Sequence, residues 1–454
     1  MFDIAVIGAG PGGYVAAEAA AQRGKSVVLF EMDKLGGTCL NRGCIPTKAL
    51  IHSAEAYAEM ANPGDLGICA ENVSYDFAAM HARKEQVVST LRSGIAKLMK
   101  AHKVTVVEGH AVLEGEGRIS CNGEVYEAAD IILAVGSLPR FVPIKGIDGP
   151  GVYTSDHILE GDGLDVSSLV IIGGGVIGIE VAMLYAELGA QVTVLEAMDR
   201  ILPPMDEEIA KRVSMMLKHR NIAVDAKAMV SEISGTPGNM AVTYTDKKGN
   251  EKTVRAEAVL VSTGRKPNTD GLLADGVELE LDRGAIVADE LGRTSIPHVW
   301  TIGDCRARTI QLAHVASAQG RNVVAAICGD TPAIDEKVVP SCVYTSPEIA
   351  SVGMTEAEAK AAGIETKSAK VMTGANGKCL IEGGESGYVK LVADAATDKI
   401  IGAQLVCPRA TDMIGEPALA VHMGLTASQL AEVIHAHPTV GEMTLDAALS
   451  LMTK

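Results

Sequence analysis

Short apolar runs that end in glycine recur along the chain and predict buried strands of a parallel sheet. The first run, Asp3–Ile7, leads into a glycine-rich stretch, a run of small residues and a second apolar run, Ser26–Phe30. The same order of features returns at Leu169–Ile172, about 165 residues later, and closes with Val192–Leu195. We therefore expect two βαβ units, each built from a strand, a glycine turn, a helix and a second strand.

Longer amphipathic patterns predict two helices between these units, over Ala49–Met60 and Phe77–Ala101. The stretch Leu138–Pro143 contains two prolines and is expected to be a linker.

Beyond residue 338 the pattern changes to alternating strands, as in Tyr388–Val392 and Lys399–Val406. Two helices are predicted over Met413–Met423 and Ala427–Val433. This part of the chain is expected to form an α+β domain without a nucleotide-binding motif.

The glycine turns carry the chemistry expected of dinucleotide-binding sites. Gly8, Gly10 and Gly13 lie between a strand and a helix, where glycines let the backbone approach a pyrophosphate. Glu31 follows the second strand, 23 residues after Gly8, and can accept hydrogen bonds from a ribose diol. The complete unit is a much more specific signal than a lone glycine motif.

The second unit has the same spacing. Its glycines are Gly173, Gly175 and Gly178, and Glu196 lies 23 residues after the first of them. A carboxylate at this position favours a free 2′-hydroxyl and repels a 2′-phosphate, which predicts NAD rather than NADP. Arg200 lies nearby and is the residue that favours the opposite choice.

Three further strand exits are candidates for nucleotide contacts. Gly136 and Ser137 follow one apolar run, and Gly264 follows another. Asp304 ends a third run and could bind a ribityl hydroxyl. The alternative is that it caps a helix predicted from about Leu312.

Two thiols, Cys39 and Cys44, lie just beyond the first unit. In an ideal helix, residues five positions apart have Cα atoms about 8.6 Å apart, whereas a disulfide needs about 4.4–6.8 Å. If the sulfurs bridge, the backbone between them must be unwound, and Gly43 makes this less costly. Lys48, one turn after Cys44, can favour the thiolate. The alternative is a pair of reduced, buried cysteines at a helix start.

The C-terminal end offers a general base. Histidine is the side chain suited to proton transfer near neutral pH, which makes His437 a candidate, and Glu442 can fix the tautomer of its imidazole. His435 is a competing candidate, but no acid follows it at the same spacing. The alternative for His437 is a capping or packed histidine.

Composition narrows the function further. The formal net charge is −17 over 454 residues and aromatic residues make up 3%, which argues against a nucleic-acid partner. The N-terminus lacks the features of a signal peptide, and no membrane span or metal site is expected. Nine scattered cysteines do not form the disulfide framework of a secreted protein, so a cytoplasmic location is expected.

Together and in order, these motifs resemble those of the disulfide flavoprotein reductases. Residues 36–48 read GGTCLNRGCIPTK, which is similar to the dihydrolipoamide dehydrogenases of that family. A TIGD segment and a terminal HAHPTVGE extend the resemblance over essentially the whole chain.

The resemblance implies an α/β fold with two dinucleotide-binding (Rossmann-like) domains plus a C-terminal α+β dimerisation domain. The implied boundaries are 1–140 for an FAD-binding domain with the redox disulfide, 141–265 for an NAD-binding domain, 266–335 for a central segment returning to the FAD domain, and 336–454 for the interface domain.

The resemblance also implies which residues bind and react. FAD would be bound by Gly8, Gly10, Gly13, Glu31, Lys48, Gly109, Ala111, Gly136, Ser137, Asp304 and Ala313. NAD would be bound by Gly173, Gly175, Gly178, Glu180, Glu196 and Gly264. The catalytic residues would be Cys39, Cys44, Lys48, His437 and Glu442.

By the same resemblance, a substrate thiolate attacks Cys39, Cys44 leaves as a thiolate beside the flavin, and His437 takes the substrate proton. Protein-bound dihydrolipoamide would be oxidised and NAD⁺ reduced. The partner would be a separate lipoyl-bearing carrier protein or acyltransferase subunit of a 2-oxo acid dehydrogenase or glycine cleavage complex. The chain would form a homodimer in which His437 and Glu442 serve the thiols of the other subunit.

Two alternatives stay open. Another NAD(P)H-dependent disulfide or mercuric reductase of the same family would share the flavin core but use a different electron acceptor. A non-catalytic docking subunit would not need the thiols, and the intact catalytic set disfavours it. Two features depart from the family pattern: Arg42 stands where an apolar valine is usual, and the segment after Asp304 is one residue longer than usual.

Overall fold

The computed structural model describes residues 1–383 and 386–453, and the contacts among its residues divide the chain into two units. The first unit comprises Met1–Val142, Tyr153–Asp165 and Thr263–Glu336. The second comprises Pro143–Val152, Val166–Ser262 and Lys337–Lys454. Each unit is therefore assembled from segments that lie far apart along the sequence.

Strands occur throughout both units, and most are short. In chain order they are β1 (Phe2–Ile7), β2 (Val27–Glu31), β3 (Thr105–Glu108), β4 (Ala111–Gly115), β5 (Arg118–Cys121), β6 (Glu124–Leu133), β7 (Ser137–Pro139), β8 (Val152–Tyr153), β9 (Ser168–Ile172), β10 (Gln191–Glu196), β11 (Ala223–Ala226), β12 (Met229–Thr236), β13 (Asn239–Thr245), β14 (Glu251–Ala256), β15 (Ala258–Val261), β16 (Arg265–Pro267), β17 (Leu281–Asp282), β18 (Ala285–Ile286), β19 (Val299–Thr301), β20 (Ser341–Val343), β21 (Ile349–Gly353), β22 (Thr366–Met372), β23 (Tyr388–Asp394) and β24 (Ile400–Val406).

The helices range from single turns to a long rod. They are α1 (Pro11–Gln22), α2 (Gly37–Arg42), α3 (Cys44–Ala61), α4 (Phe77–Ala101), α5 (Ser155–Leu159), α6 (Val176–Glu187), α7 (Glu207–His219), α8 (Ala313–Ile327), α9 (Glu356–Ala361), α10 (Gly377–Glu382), α11 (Ala410–Met413), α12 (Gly415–Met423), α13 (Ala427–Ala431) and α14 (Glu442–Met452). Short 3-10 helices lie at Gly64–Leu66, Gly303–Cys305 and Thr373–Ala375.

The first unit is organised around a seven-stranded sheet in the order β3-β2-β1-β6-β5-β4, with β19 also paired to β6. Strand β1 runs parallel to β2 and β6, and β19 runs parallel to β6. The register pairs Ile7 with both Phe30 and Leu133, and Leu133 with Thr301. Four strands therefore end together at one edge, which is where open α/β sheets bind nucleotides.

Two features of this unit differ from the sequence prediction. Strands β4, β5 and β6 form an antiparallel meander. Most of it was not predicted, because only the last residues of β6 have the continuous apolar run that indicates a strand. The prediction that Leu138–Pro143 is a linker is wrong for its first residues. Strand β7 pairs with β16, with Leu138 opposite Lys266, because two segments distant in sequence meet there.

In the second unit, the parallel strands lie in the order β11-β10-β9-β15. The register pairs Ile172 with both Leu195 and Val261, so three strands again end at one edge. The predicted pair of dinucleotide-binding folds is thereby confirmed. The meander β12-β13-β14 was not predicted, since its alternating residues carry no glycine motif.

The rest of the second unit is the expected α+β domain. Its antiparallel sheet has the order β20-β21-β24-β23-β22, and a large apolar cluster joins this sheet to the C-terminal helices. The helix predicted over Met413–Met423 is divided at Ile414 into α11 and α12. Helix α13 ends at Ala431, two residues earlier than predicted.

Small residues bring α1 and α8 into close contact. A Cβ added to Gly12 would lie 3.1 Å from the carbonyl oxygen of Ala316, and one added to Gly320 would lie 2.7 Å from the carbonyl oxygen of Gly12. Ala16 and Ala20 on the same helix are completely buried. The run of small residues after the first glycine turn therefore exists because a second helix packs directly on its backbone.

Two buried polar residues of α4, Lys84 and His81, contact the segment Tyr153–Asp165, at the end of which the chain leaves the first unit. Lys84 is 1% exposed, and its ammonium donates to the carbonyl oxygen of Leu159 at 2.8 Å. Nδ1 of the buried His81 lies 3.3 Å from the carbonyl oxygen of Gly161. A Cβ on Gly163 would lie 2.1 Å from the imidazole ring. Nε2 of His81 has no hydrogen-bond partner among the described residues.

This environment predicts that His81 makes stability depend on pH. Burial, together with the Lys84 ammonium, lowers the pKa of His81, against weaker opposing effects of Gly161 and Asp162. Because folding lowers this pKa, stability is complete above the unfolded value of about 6.5 and is lost as pH falls towards the folded pKa.

His81→Phe removes this titration. Its melting temperature should therefore fall less than that of the wild type between about pH 7.5 and pH 5.5, by about 2 °C or more in scanning calorimetry. His52→Gln, at an exposed histidine, should keep the wild-type pH dependence. An unchanged slope in His81→Phe would contradict the prediction.

Candidate active site

The loop after β1 has a shape that only glycine permits. Gly8 has φ +99°, and a Cβ there would lie 2.4 Å from the carbonyl oxygen of Ala134. A Cβ on Gly13 would lie 1.8 Å from the carbonyl oxygen of Gly8. Helix α1 begins at Pro11 with no side chain capping its N-terminus. The N–H groups of its first turn are thus left for an anion such as a pyrophosphate.

The loop after β9 repeats this geometry in the second unit. Gly173 has φ +111°, and its added Cβ would lie 2.5 Å from the carbonyl oxygen of Ser262. A Cβ on Gly178 would lie 2.1 Å from the carbonyl oxygen of Gly173. Gly175 precedes α6, which also has no side-chain N-cap. The second loop therefore suits a second pyrophosphate.

In each unit, the acidic residue predicted to bind ribose also accepts a hydrogen bond from the glycine loop. Oε2 of Glu31 accepts the N–H of Ala9 at 2.8 Å, and Oε2 of Glu196 accepts the N–H of Gly174 at 2.6 Å. The second oxygen of each accepts another backbone N–H two residues further on. Both residues are buried, and burial raises the pKa of Glu31. Each oxygen keeps a lone pair with which to accept a ribose hydroxyl.

Cys39 and Cys44 form a disulfide. Their Cα atoms are 4.7 Å apart, because α2 ends at Arg42 and α3 begins at Cys44. Gly43 makes the break, with φ −142° and ψ −114°, and a Cβ there would lie 3.0 Å from the carbonyl oxygen of Thr38. The predicted unwound, bridged turn is confirmed, and the alternative of two reduced cysteines is wrong. The seven other cysteines, all of which lie among the described residues, are unbridged.

The redox turn, residues 36–44, rests on the first glycine loop. Gly36 and Gly37 have φ +97° and +57°, and the N–H of Gly36 donates to the carbonyl oxygen of Ala9 at 2.9 Å. A Cβ on Gly37 would lie 2.6 Å from the Cα of Gly10. The backbone that starts α2 thus lies directly on the backbone that starts α1. The disulfide and the predicted flavin loop are therefore neighbours by backbone contact.

Arg42, the unusual charge between the thiols, is paired with carboxylates. It contacts Asp33, and its Nε lies 3.4 Å from Oε1 of Glu160. The carboxyl of Asp156 is close enough that Arg42 and Arg265 lower its pKa, although burial raises it more strongly. The guanidinium of Arg42 is therefore part of an ion-pair network within the first unit.

Two predicted flavin contacts touch each other. The hydroxyl of Ser137 donates to Oδ2 of Asp304 at 2.6 Å. Arg265 donates from Nε to Oγ of Ser137 at 2.7 Å and from Nη2 to its carbonyl oxygen at 2.6 Å. The alternative that Asp304 caps a helix is wrong, because the N-cap of α8 is Leu312. Arg265 was not predicted as a site residue, although it directly follows the strand-exit glycine Gly264.

The other residues predicted to bind FAD lie along the same sheet edge or at helix starts. Gly109 donates its N–H to the carbonyl oxygen of Glu31 at 2.8 Å, just before Ala111 begins β4. Gly136 has φ +70° and follows β6. Ala313 is the first residue of α8.

Three remaining predicted residues lie on two helices and a strand exit. Lys48 lies in α3, one turn beyond the disulfide. Glu180 is 3% exposed in α6, and its carboxylate accepts the N–H of Tyr344 at 3.0 Å. Gly264 has φ +102° before β16. Lys48 and Glu180 are therefore positioned by helices, and Gly264 by the turn before β16.

His437 and Glu442 form the predicted pair. Nδ1 of His437 lies 2.9 Å from Oε1 of Glu442, and the histidine side chain is 80% exposed. The N–H of Thr439 donates to Oε2 of Glu442 at 2.8 Å and, with His437, lowers the pKa of Glu442. His435 instead directs Nε2 to Glu416 at 2.9 Å. Nε2 of His437 is the ring nitrogen opposite the one that contacts Glu442.

Within the described residues 1–383 and 386–453, no cluster of three or more His, Cys, Asp or Glu side chains could hold a metal ion. Among the helices of the same residues, none is long and apolar enough to cross a membrane.

Two family models match almost the whole chain. Residues 2–320 match the pyridine nucleotide-disulphide oxidoreductase model, and residues 339–448 match the dimerisation domain of the same family.

Curated relatives are similar over nearly their full length. A dihydrolipoyl dehydrogenase of Bacillus subtilis is 40% identical over 457 residues, covering 98% of this chain and 95% of the relative. One of Geobacillus stearothermophilus is 40% identical over 453 residues, covering 98% and 94%.

Solved structures show the same architecture. LpdA from Mycobacterium tuberculosis has a TM-score of 0.90 and 28% identity, covering 99% of this chain and 100% of that one. A Cu(II) complex of the HOCl-induced flavoprotein disulfide reductase RclA from Escherichia coli has a TM-score of 0.88 and 28% identity, with the same coverage.

The contact between Gly37 and Gly10 predicts a specific effect on flavin binding. In Gly37→Ala the new Cβ would displace the redox turn or the first glycine loop, so the dissociation constant for FAD should rise about tenfold, or about 1.4 kcal/mol. The measurement is flavin release followed by fluorescence.

Gly24→Ala is the matched control, since Gly24 also has positive φ, +78°, but no atom lies within 4 Å of its added Cβ. It carries the same backbone strain without the close approach. Equal weakening of FAD binding in both variants would show that strain alone matters and would contradict the prediction.

Proposed function

The chain belongs to the pyridine nucleotide-disulphide oxidoreductases, and from this premise we propose that it is an FAD-dependent dihydrolipoyl dehydrogenase that reduces NAD⁺. The observation that carries the proposal is the Cys39–Cys44 disulfide, seated on the glycine loop of the first dinucleotide-binding fold. The curated relatives at 40% identity support the choice of substrate.

FAD and NAD are the cofactors of this chain. The glycine loops at Gly8 in the first unit and at Gly173 in the second fit these cofactors. At either position an added Cβ would clash with a backbone carbonyl oxygen, so only glycine permits the shape of the loop. When bound, FAD would supply the two-electron chemistry that links a dithiol to nicotinamide. We assign FAD to the first fold, because the disulfide lies against it, and NAD to the second.

In this proposal residues 1–140 and 266–335 form the FAD-binding part, 141–265 the NAD-binding domain and 336–454 the interface domain. The FAD contacts proposed from the sequence are supported by the hydrogen bond between Ser137 and Asp304 and by the backbone shape at Gly109. The NAD contacts are supported by the loop that Glu196 fastens.

Cys39 and Cys44 carry the thiol chemistry. A thiolate of dihydrolipoamide attacks Sγ of Cys39, the bond between the two cysteines breaks, and Cys44 leaves as a thiolate. The second substrate thiolate attacks the substrate sulfur now bonded to Cys39, this mixed disulfide bond breaks with Cys39 leaving as a thiolate, and the cyclic disulfide is released. Two electrons thereby pass from substrate to enzyme. Lys48, one turn after Cys44, favours the thiolate by its charge.

His437 is the proposed base. It takes the proton of the attacking substrate thiol on Nε2, while Nδ1 is held by Glu442 at 2.9 Å. Because the N–H of Thr439 and His437 lower the pKa of Glu442, this carboxylate stays ionised at neutral pH and stabilises the imidazolium. The role of Glu442 is to fix one tautomer and balance the charge.

We place the catalytic pair in trans, in a homodimer. Support comes from the match of residues 339–448 to a dimerisation domain and from the exposure of His437. A two-fold axis gives two identical sites, each with thiols from one subunit and a base from the other. The lipoyl group arrives on a separate carrier protein or acyltransferase subunit. The seven unbridged cysteines favour the cytoplasm.

A second candidate is another flavoprotein disulfide reductase of the same family. It is favoured by the structural similarity to RclA, whose Cu(II) complex has been solved. In that case electrons would flow from a nicotinamide cofactor to a disulfide or a metal ion, as in mercuric reductases.

A substrate panel tests the proposed function. Dihydrolipoamide with NAD⁺ should be turned over at least about a hundredfold faster, as kcat/KM, than glutathione disulfide, Hg²⁺ or Cu²⁺ with NADH or NADPH. The value with NAD⁺ should exceed that with NADP⁺ by at least about tenfold, or about 1.4 kcal/mol. Faster reduction of a disulfide or metal ion would select the second candidate. Cys44→Ser is the inactive control.

Complementation tests the site in trans. Cys44→Ser and His437→Gln subunits, each nearly inactive alone, should form a heterodimer with one complete site and about half of the activity of a wild-type dimer. The heterodimer is isolated with two affinity tags before assay. His435→Gln serves as the matched control and should keep most of its activity. Background activity in the isolated heterodimer would show that the base acts in cis.

A further inference from the structure

Asn41 lies between the two bridged cysteines and uses every part of its side-chain amide. It is 6% exposed. Its Nδ2 donates to the carbonyl oxygens of Leu35 at 3.0 Å and Gly37 at 2.9 Å, and lies 3.4 Å from that of Lys34. Its Oδ1 accepts from Nε of Arg92 at 2.9 Å. Both the donor and the acceptor of the amide are therefore hydrogen-bonded.

These bonds join three separate parts of the first unit. Residues 34–36 lie in the loop before α2, and Gly37, the first residue of α2, packs on the first glycine loop. Arg92 belongs to the long helix α4 and also contacts Glu85 at 3.3 Å. Asn41 thus ties the last turn of α2 both to the loop before it and to a helix outside the redox turn.

The turn needs such ties most when the disulfide is open. The Cα atoms of Cys39 and Cys44 are 4.7 Å apart, whereas a continuous helix would separate them by about 8.6 Å. Gly43, at the break, is the residue with the greatest backbone freedom. A helix as short as α2 does not hold its own shape in water. Once the disulfide is reduced, hydrogen bonds elsewhere in the turn must maintain the break between α2 and α3.

We infer that Asn41 is a positioning residue that keeps the two thiols within bonding range after reduction. It raises the effective concentration of one thiol towards the other and so favours closure of the disulfide. The inference deepens the proposed function, since it rests on the redox cycle of Cys39 and Cys44, but it concerns only the thiol–disulfide step.

The direction in which the equilibrium constant for disulfide formation changes distinguishes a positioning role from an effect of charge. Arg92 is a cation whose guanidinium bonds Asn41, between the two cysteines. By charge alone, its loss would disfavour a thiolate and so strengthen the disulfide. Loss of positioning weakens the disulfide instead. Removing Arg92 frees Oδ1 of Asn41 but leaves its donors in place, so the positioning effect should be smaller than that of removing Asn41.

The test is exchange with dithiothreitol in the FAD-loaded protein, without oxygen or pyridine nucleotide. Reduced dithiothreitol gives two electrons and two protons to the enzyme disulfide, so that one S–S bond breaks in the enzyme and one forms in dithiothreitol. Alkylation followed by mass spectrometry gives the ratio of enzyme dithiol to disulfide. In Asn41→Ala the equilibrium constant for disulfide formation should fall about tenfold, which corresponds to about 30 mV.

Arg92→Gln should shift the constant in the same direction by about threefold. Its side chain is 28% exposed, so it also serves if Asn41→Ala does not fold. Arg23→Gln is the matched control. Arg23 likewise donates to a backbone carbonyl oxygen, that of Ala19, but at the end of α1. It should leave the constant unchanged.

An equilibrium constant within about threefold of wild type in Asn41→Ala, even with a lower melting temperature, would overturn the inference and leave Asn41 a merely structural residue. A stronger disulfide in either variant would overturn it too: in Arg92→Gln that is the sign expected from the loss of charge, and in Asn41→Ala it is the opposite of lost positioning. The measurement needs neither a lipoyl substrate nor NAD. Its outcome is therefore separate from success or failure of the proposed function.

Discussion

The close approach of two glycine backbones, Gly10 and Gly37, is the constraint on which the first unit depends. A single added carbon on Gly37 would lie 2.6 Å from the Cα of Gly10, well inside van der Waals contact. The same few residues must also leave the N-terminus of α1 open to a pyrophosphate. Because the contact involves main chain on both sides, the disulfide is located against the nucleotide loop without help from a flexible side chain.

The redox turn shows why this disulfide suits chemistry better than stabilisation. It closes a very short loop, so the entropy it removes from the unfolded chain is worth only about 2 kcal/mol. Hydrogen bonds hold the redox turn in place instead. The hydroxyl of Thr47 donates to the carbonyl oxygen of Gly43 at 2.6 Å, and the side chain of Asn41 bonds to Leu35 and Arg92. A bond that the fold does not need can open and close in every cycle.

Local signals were predictable from the sequence, and contacts between distant segments were not. The glycines and the acids Glu31 and Glu196 fall at fixed spacings within one βαβ unit, so the sequence predicts both loops. Arg265 and Ser137 are 128 positions apart, and Arg92 and Asn41 are 51 apart. Such pairs exist only because the sheet and α4 bring them together. The meander β12-β13-β14 escaped prediction for a related reason, since its strands are specified by pairing rather than by a motif.

The second unit combines loop shape and cofactor choice in one interaction. The carboxylate of Glu196 is 2.6 Å from the N–H of Gly174, so the group that would repel a 2′-phosphate is also the group that sets the glycine loop. Arg200, the cation that favours the opposite choice, donates instead to the carbonyl oxygen of Pro203 at 3.2 Å. Its Nε has no hydrogen-bond partner among the described residues. The carboxylate of Glu196 is thus held at the glycine loop, whereas the guanidinium of Arg200 is bonded to the backbone. This difference favours a cofactor with a free ribose diol over one with a 2′-phosphate.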